Sequence, residues 1–197
     1  MRRLIGLGML AFLPVTLNAQ RLSLSPEIGF YIPTEKLTQL TPGGDFSELE
    51  AGLAFGARVG IWFSRRLGVS LSGSYVPSTY KFSSGSTITK QDAKLFLGSG
   101  QVVFFLLPRT SFFTLFLNGG VGVISHGGVA FTGASDKNDV SGVFGGGAAI
   151  QLGGLALNAG VELFNYSSTP PSTSTAEAQK QRDIHVKLGF GIPFGGS

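Results

Sequence analysis

The sequence predicts an all-β protein: eight antiparallel strands in up-and-down order, closed into a transmembrane β-barrel. Three observations carry that expectation. Apolar residues alternate with small or polar ones along eight segments, at the period that gives a strand two unlike faces. The links between those segments alternate between tight turns and long polar stretches. Finally, 43% of residues are hydrophobic and mean hydropathy is positive. Yet past the N-terminus no apolar run reaches the roughly 18 residues that a membrane helix needs.

The chain opens with the layout of a secretory signal over residues 1–19. Arg2 and Arg3 form its positive end, Leu4 to Leu13 its apolar run, and Leu17-Asn18-Ala19 leaves a small residue at the expected cut. Removal takes both arginines with it and lowers the formal net charge of +4 by two. The sequence pI of 9.6 then says little about a nucleic-acid partner, and with no Lys/Arg run none is expected. Zero cysteines exclude disulfides and thiolate metal sites. Residues 20–197 are the length of one domain, read as the barrel.

The eight segments follow in order. The first sets Leu22, Leu24, Ile28, Phe30 and Ile32 against Arg21, Ser23, Ser25, Glu27 and Gly29. The second sets Leu53, Phe55, Val59, Ile61 and Phe63 against Gly52, Gly56, Arg58 and Gly60. In the third, Leu67, Val69, Leu71 and Tyr75 oppose Gly68, Ser70, Ser72 and Ser74. The fourth, near Asp92 to Leu107, is less regular. Leu95, Leu97, Val103 and Phe105 are assigned to the outer face there, interrupted by Ser99 and Gln101, and a bulge is expected to absorb the conflict. The fifth opposes Phe113, Leu115, Leu117, Val121 and Val123 to Thr114, Asn118, Gly120 and Gly122. The sixth opposes Val140, Phe144, Ala148 and Ile150 to Ser141, Gly145, Gly147 and Gln151, and the seventh Leu155, Leu157, Val161 and Leu163 to Asn158, Gly160 and Glu162. The eighth is the most regular: Ile184, Val186, Leu188, Phe190, Ile192 and Phe194 alternate with Asp183, His185, Lys187, Gly189 and Gly191, until Pro193 ends the pairing.

Tight links follow the even segments at Ser64-Arg65-Arg66, Pro108 to Ser111 and Gly153-Gly154. Long links follow the odd ones at Pro33–Glu50, Ser78–Gln91, Ser125–Asp139 and Ser167–Gln181. Within the last, Ser174 to Glu177 matches a capping box, although mobile loop is the preferred reading. Tight turns on one rim and long loops on the other are the arrangement of barrels that cross an outer membrane.

The faces decide between membrane and water. A water-soluble barrel turns its large apolar residues inward and covers its wall with charge. Here the non-apolar face is mostly Gly, Ala and Ser, and only 13% of the chain is charged. Such a face suits a narrow interior, so the apolar side chains are expected to point outward to lipid. Lipid in turn demands closure, since unpaired backbone groups are costly in hydrocarbon. Outward aromatics are expected to form girdles: Phe63, Phe105, Phe113 and Phe194 at the turn rim, Phe30 and Tyr75 at the loop rim. Trp62 falls on the inner parity as a packing residue.

These residues resemble the small eight-stranded outer-membrane barrels of the outer-membrane protein A and X type, over essentially the whole mature chain. The most specific element is Lys187-Leu-Gly189-Phe-Gly-Ile192-Pro-Phe194, similar to the C-terminal signal read by the barrel assembly machinery: a polar residue (Lys187), Gly189, then Ile192 and Phe194. Here Gly195-Gly196-Ser197 follows it. The resemblance implies a monomer of the bacterial outer membrane, in contact with its lipid and delivered by periplasmic chaperones and the assembly machinery. It also implies an internal ion-pair cluster acting as a plug or a gate.

On the inner parity the long ionic side chains are Glu27, Arg58, Glu162 and Lys187, with His185 beside them. Charges in a narrow interior are tolerable only when paired, so these residues are expected to form a network across the lumen. Enzymatic readings are weak. Ser125 adjoins His126 in a predicted loop, and Asp183 and His185 share a face but, with no nucleophile evident, are read as loop-end polar residues; the two histidines are expected at opposite ends. The glycines follow strand faces and open no phosphate loop, metal-ligand spacing is absent, and the Asn165-Tyr-Ser167 sequon is discounted. No cofactor is expected. The function predicted is a non-enzymatic integral outer-membrane barrel, with an envelope-structural or porin-like role and long loops for contacts. A soluble lipocalin-like ligand-binding barrel and a lipid-modifying membrane enzyme are the alternatives.

Overall fold

Strands joined by short links pair with their sequence neighbours in antiparallel ladders, and that is how this chain is built. The computed structural model describes residues 21–34, 38–39, 46–84, 87–132, 138–168 and 179–194. Its strands are β1 Arg21–Pro33, β2 Thr38–Gln39, β3 Phe46–Leu49, β4 Gly52–Trp62, β5 Leu67–Ser84, β6 Thr87–Phe105, β7 Phe113–Gly127, β8 Asn138–Leu152, β9 Leu155–Ser168 and β10 Gln179–Phe194. A 3-10 turn, Val129–Phe131, follows β7. Eight of the strands close a ring in the order β1, β4, β5, β6, β7, β8, β9, β10 and back to β1. Closure leaves the wall without a free edge.

The stagger of the ring follows from the register. Leu24 opposes Val59, which leads in turn to Leu71, Gly100, Val121, Gly142, Asn165 and Arg182. Arg182 lies against Thr34, whose N–H donates to its carbonyl at 3.3 Å, ten residues beyond the start on β1. Ten residues of stagger over eight strands tilt each strand by about 40° to the axis.

The outer wall carries the large apolar side chains, Leu24, Phe55, Leu71, Val121, Phe144 and Leu188 among them. Phe30 and Tyr75 stand outward toward the long-loop rim, and Phe63, Phe113 and Phe194 outward toward the tight-turn rim. The tight turns form as expected: Phe63 N–H donates to Leu67 O at 3.0 Å, and Gly153 adopts φ +64, a left-handed conformation suited to glycine.

Three expectations are corrected. In β6 the faces are reversed: Leu95, Leu97, Val103 and Phe105 are buried inside with Ser99 and Gln101, while Phe96, Val102 and Phe104 face out. There is no bulge to reconcile them, because β5 and β6 pair without interruption from Leu67↔Phe104 to Ser84↔Thr87. Phe105 therefore belongs to the interior and not to a girdle. The physical reason is that β6 is apolar on both sides, so alternation cannot say which side is in.

The same ladder overturns the loop expected at Ser78–Gln91, since β5 and β6 continue as a paired hairpin beyond the wall. Strand β3 adds to it, with Leu49 opposite Tyr80, and one extra residue between β3 and β4 forms a bulge: 50–54 face 76–79. β7 likewise runs to Gly127, so His126 is a strand residue and not a loop residue. The capping-box segment Ser174 to Glu177 and the signal segment 1–19 lie outside the described residues.

Candidate functional site

Inward parity on β1, β4, β9 and β10 brings four long ionic side chains to one level of the lumen. Arg58 on β4 bridges two carboxylates, with Nε 3.1 Å from Glu27 Oε1 and Nη2 donating to Glu162 Oε1 at 2.9 Å. Lys187 on β10 meets the same two, at 3.4 Å from Glu27 Oε2 and 2.7 Å from Glu162 Oε2. Two carboxylates and two cations make the set neutral, which buried charges require. Glu162 and Lys187 are only 2% and 4% exposed.

Space for the two carboxylate side chains comes from glycine on the strands beside them. Glu27 lies between Gly56 and Gly189, and Glu162 is opposite Gly145. A Cβ on Gly145 would stand 2.4 Å from Val161 O and 3.0 Å from Glu162 Cγ; one on Gly189 would stand 3.0 Å from Glu27 Cγ. On the far wall, Asn118 donates from Nδ2 to Glu162 Oε1 at 3.3 Å and also to Gln101 Oε1, and Gln101 Nε2 donates to Ser99 Oγ at 2.7 Å. The Ser99 and Ser72 hydroxyls meet at 2.8 Å. The charged layer is thus continued by neutral polar groups around the ring.

His185 stands one inward step above Lys187, with its ring 6.5 Å from Phe164, and makes no ion pair among the described residues. Just above, the hydroxyls of Tyr31 and Tyr166 both donate to Asp183 Oδ2, Tyr166 at 2.6 Å. Asp183 is therefore a buried lumen group, not the loop-end residue expected. Tyr31 and Tyr166 pack in one layer with the apolar side chains of Val76, Leu95, Leu97, Ile124, Val143 and Phe164. Phe131 of the 3-10 turn closes over it against Tyr80 and His126, at ring separations of 5.9 and 5.0 Å. His126 Nδ1 lies 3.5 Å from Asp139 Oδ2. Both histidines thus sit in the long-loop half, not at opposite ends. Ser125 and His126, as strand neighbours, point to opposite faces and form no dyad. Among the described residues no three His, Asp or Glu groups are placed to hold a metal.

Below the charged layer a cavity of about 340 Å³ extends toward the tight-turn rim. Trp62, Phe105 and Phe116 line one side, with successive ring separations of 5.2 and 5.6 Å. The Arg109 guanidinium lies 3.8 Å over the Trp62 ring, and Trp62 Nε1 donates to Ser23 Oγ at 3.0 Å. Of the C-terminal motif, Lys187 belongs to the charged layer, Gly189 makes room for Glu27, and Ile192 and Phe194 face outward.

Sequence reasoning missed Tyr31, Tyr166 and Asp183 as one cluster, and Gln101 as a partner of the layer. Their shared signal was inward parity, readable once a polar residue on each strand had fixed which side faces the lumen.

No protein-family model matches the chain, and no curated protein matches its sequence. Solved structures do match it. The outer-membrane protein OprG of Pseudomonas aeruginosa superposes with a TM-score of 0.69 at 16% identity, over 91% of this chain and 98% of that one. Neisserial surface protein A gives a TM-score of 0.54 at 12% identity, over 89% of this chain and 99% of that one. The attachment invasion locus protein Ail of Yersinia pestis, solved with a heparin analogue, gives 0.52 at 16% identity, over 89% and 99%. At such identities the likeness bears on architecture, and with the closed ring it shows that this chain has the fold of the small eight-stranded outer-membrane β-barrels.

Proposed function

We propose that the chain is a non-enzymatic integral protein of the bacterial outer membrane, whose lumen is closed by an internal plug. The observation that carries this is the order of layers along the lumen. On the long-loop side of a neutral, mutually paired set of four ions lies a largely apolar layer, into which His185 and the Tyr31–Asp183–Tyr166 cluster are packed. Water crossing the barrel has to break the first and wet the second, and each step is unfavourable. The belt of outward apolar side chains, with aromatics at both rims, supports contact with lipid. Export by residues 1–19 and insertion through Lys187, Gly189, Ile192 and Phe194 complete the reading. The protein then serves the envelope as a structural barrel, and the β5–β6 hairpin with β3 is its surface for outside contacts.

Planar-bilayer recordings test the plug. The wild-type protein is expected to give no steady single-channel current, and Glu162→Ala is expected to stay silent because the apolar layer above it is intact. A steady wild-type current refutes the plug. Current that appears only in Glu162→Ala makes the charged layer a gate.

A further inference from the structure

We infer that the tight-turn rim holds a site for the headgroup of an anionic glycerophospholipid, built on the Ser64-Arg65-Arg66 turn and filled from the leaflet that this rim adjoins. The inference rests on the integral-membrane reading and adds to it a lipid class and the residues that select it.

Charge is segregated along the barrel. Among the described residues no Asp or Glu lies between the charged layer and the tight-turn rim. The nearest, Glu27 and Glu162, are engaged inside the lumen by Arg58 and Lys187. On the long-loop side, by contrast, Lys81 and Lys90 face Glu50. Arg65 and Arg66 are exposed in the first tight turn, and neither side chain forms an ion pair among the described residues. Two adjacent guanidinium groups repel each other there with no carboxylate of the described chain to offset them. An anion from outside the chain relieves that repulsion.

The turn itself is held without the two side chains. Ser64 Oγ accepts from the N–H groups of Arg66 at 3.2 Å and Leu67 at 2.9 Å. The carbonyls of Arg65 and Arg66 accept from Arg109 N–H at 2.9 Å and Phe105 N–H at 2.7 Å. These bonds tie the turn to the next one, so its place is fixed before a lipid arrives.

That place suits a lipid better than a soluble anion. Phe63 and Leu67 flank the turn with exposed side chains, and Leu107 and Phe112 extend the apolar surface along the neighbouring turn. Acyl chains cover these residues while the phosphodiester meets the arginines, so a lipid gains both contacts and a soluble anion only one. A guanidinium fork takes two phosphate oxygens at once. Phosphatidylcholine offers the same phosphodiester but carries its own quaternary ammonium, so the pair of arginines selects a headgroup with net negative charge.

The test reconstitutes the full-length mature protein in phosphatidylcholine vesicles with a trace of spin-labelled phosphatidylglycerol or spin-labelled phosphatidylcholine. Electron spin resonance separates lipid immobilised at the protein surface from free lipid, and the two probes together give a relative affinity. The expected result is at least a twofold preference for phosphatidylglycerol, averaged over the whole lipid shell, falling to near unity in Arg65→Gln/Arg66→Gln. Should that variant misfold, wild type in 1 M NaCl keeps the test decisive: screening within about 3 Å is expected to remove the preference. Equal affinity for the two probes in wild type, a wild-type preference in the folded variant, or a preference that survives the salt overturns the inference while the protein still immobilises lipid. A protein that immobilises neither probe refutes the integral-membrane reading, and the inference with it.

Discussion

Replacing Arg58 by Met removes one charge from a set of four while keeping most of the side chain's length. In the wild type, Arg58 and Lys187 each touch both Glu27 and Glu162, at 2.7 to 3.4 Å. Without Arg58, two buried carboxylates share one lysine and the layer carries a net negative charge. Removing one partner of a buried pair costs about 3–5 kcal/mol, and Arg58 serves two carboxylates, so the upper part of that range is expected. The added substitution Glu27→Gln restores neutrality by leaving Glu162 with Lys187 alone. Arg58→Met/Glu27→Gln should therefore recover at least about 2 kcal/mol of the loss, a coupling expected only between groups in direct contact. The assay is reversible urea unfolding in lipid vesicles, followed by Trp62 emission and by the band shift of folded barrel on unheated gels. The reasoning fails if Arg58→Met unfolds within about 0.5 kcal/mol of wild type, the ordinary scatter of surface substitutions, or if the double variant is no more stable than the single one.

Two further expectations separate wall from hairpin. Leu71 and Ile88 are almost equally exposed, at 68% and 63%, but Leu71 is in the middle of the wall and Ile88 in the projecting hairpin. Leu71→Lys should cost about 2–4 kcal/mol in lipid vesicles, as a lysine at mid-bilayer does, and Ile88→Lys should fall within about 0.5 kcal/mol of wild type; equal losses refute a lipid-facing wall. At the hairpin base, Lys81 sits 2.7 Å from Glu50 and Lys90 3.3 Å, and chiefly the Lys81 hydrogen bond holds the Glu50 carboxyl below its ordinary value. Because the folded value is the lower one, the pairing contributes above the ordinary carboxylate range and is lost as pH falls through the folded pKa. Carboxyl NMR titration should show Glu50 moving upward in Lys81→Met, and an unmoved titration refutes the pairing.

Seven of the eight wall strands were legible because their two faces differ in kind. Glycine and serine opposite leucine and phenylalanine leave little choice about which side meets lipid. In β6 the faces are alike, with Leu95, Leu97, Val103 and Phe105 on one and Phe96, Val102 and Phe104 on the other. Periodicity finds such a strand without orienting it. Ser99 and Gln101 held the answer, since they share parity with Leu95 and Phe105 and a polar side chain does not face hydrocarbon readily. The projecting hairpin was hidden for a different reason. Lys81, Thr89, Lys90 and Gln91 make it as polar as a loop, yet its ladder is continuous, because water tolerates polar residues on both faces of a strand. The ionic residues of the lumen were readable from parity, but their distances were not. Distances depend on stagger, and stagger on bulges and turn lengths that composition does not encode.

The stagger also explains why long and absent side chains occur together at one level. At about 40° of tilt an eight-strand ring has an interior just wide enough for side chains to fill. Around the charged layer, Gly29, Gly56, Gly145, Gly160 and Gly189 line the flanks of Glu27, Glu162 and Lys187. Little else at that level reaches the axis from those strands, and Gln101 and Asn118 come in from the opposite wall. The bulk of the layer is thus concentrated in four ionizable side chains, and two of them, Glu162 and Glu27, lie over Gly145 and Gly189, where an added Cβ would stand 3.0 Å from their Cγ atoms. Shortening one leaves three still crossing the lumen, with Leu95, Leu97 and Phe164 stacked above them. Opening a path therefore requires change in two layers at once, one held by charge balance and the other by apolar packing. That double requirement is the physical reason for expecting Glu162→Ala to remain silent in the bilayer.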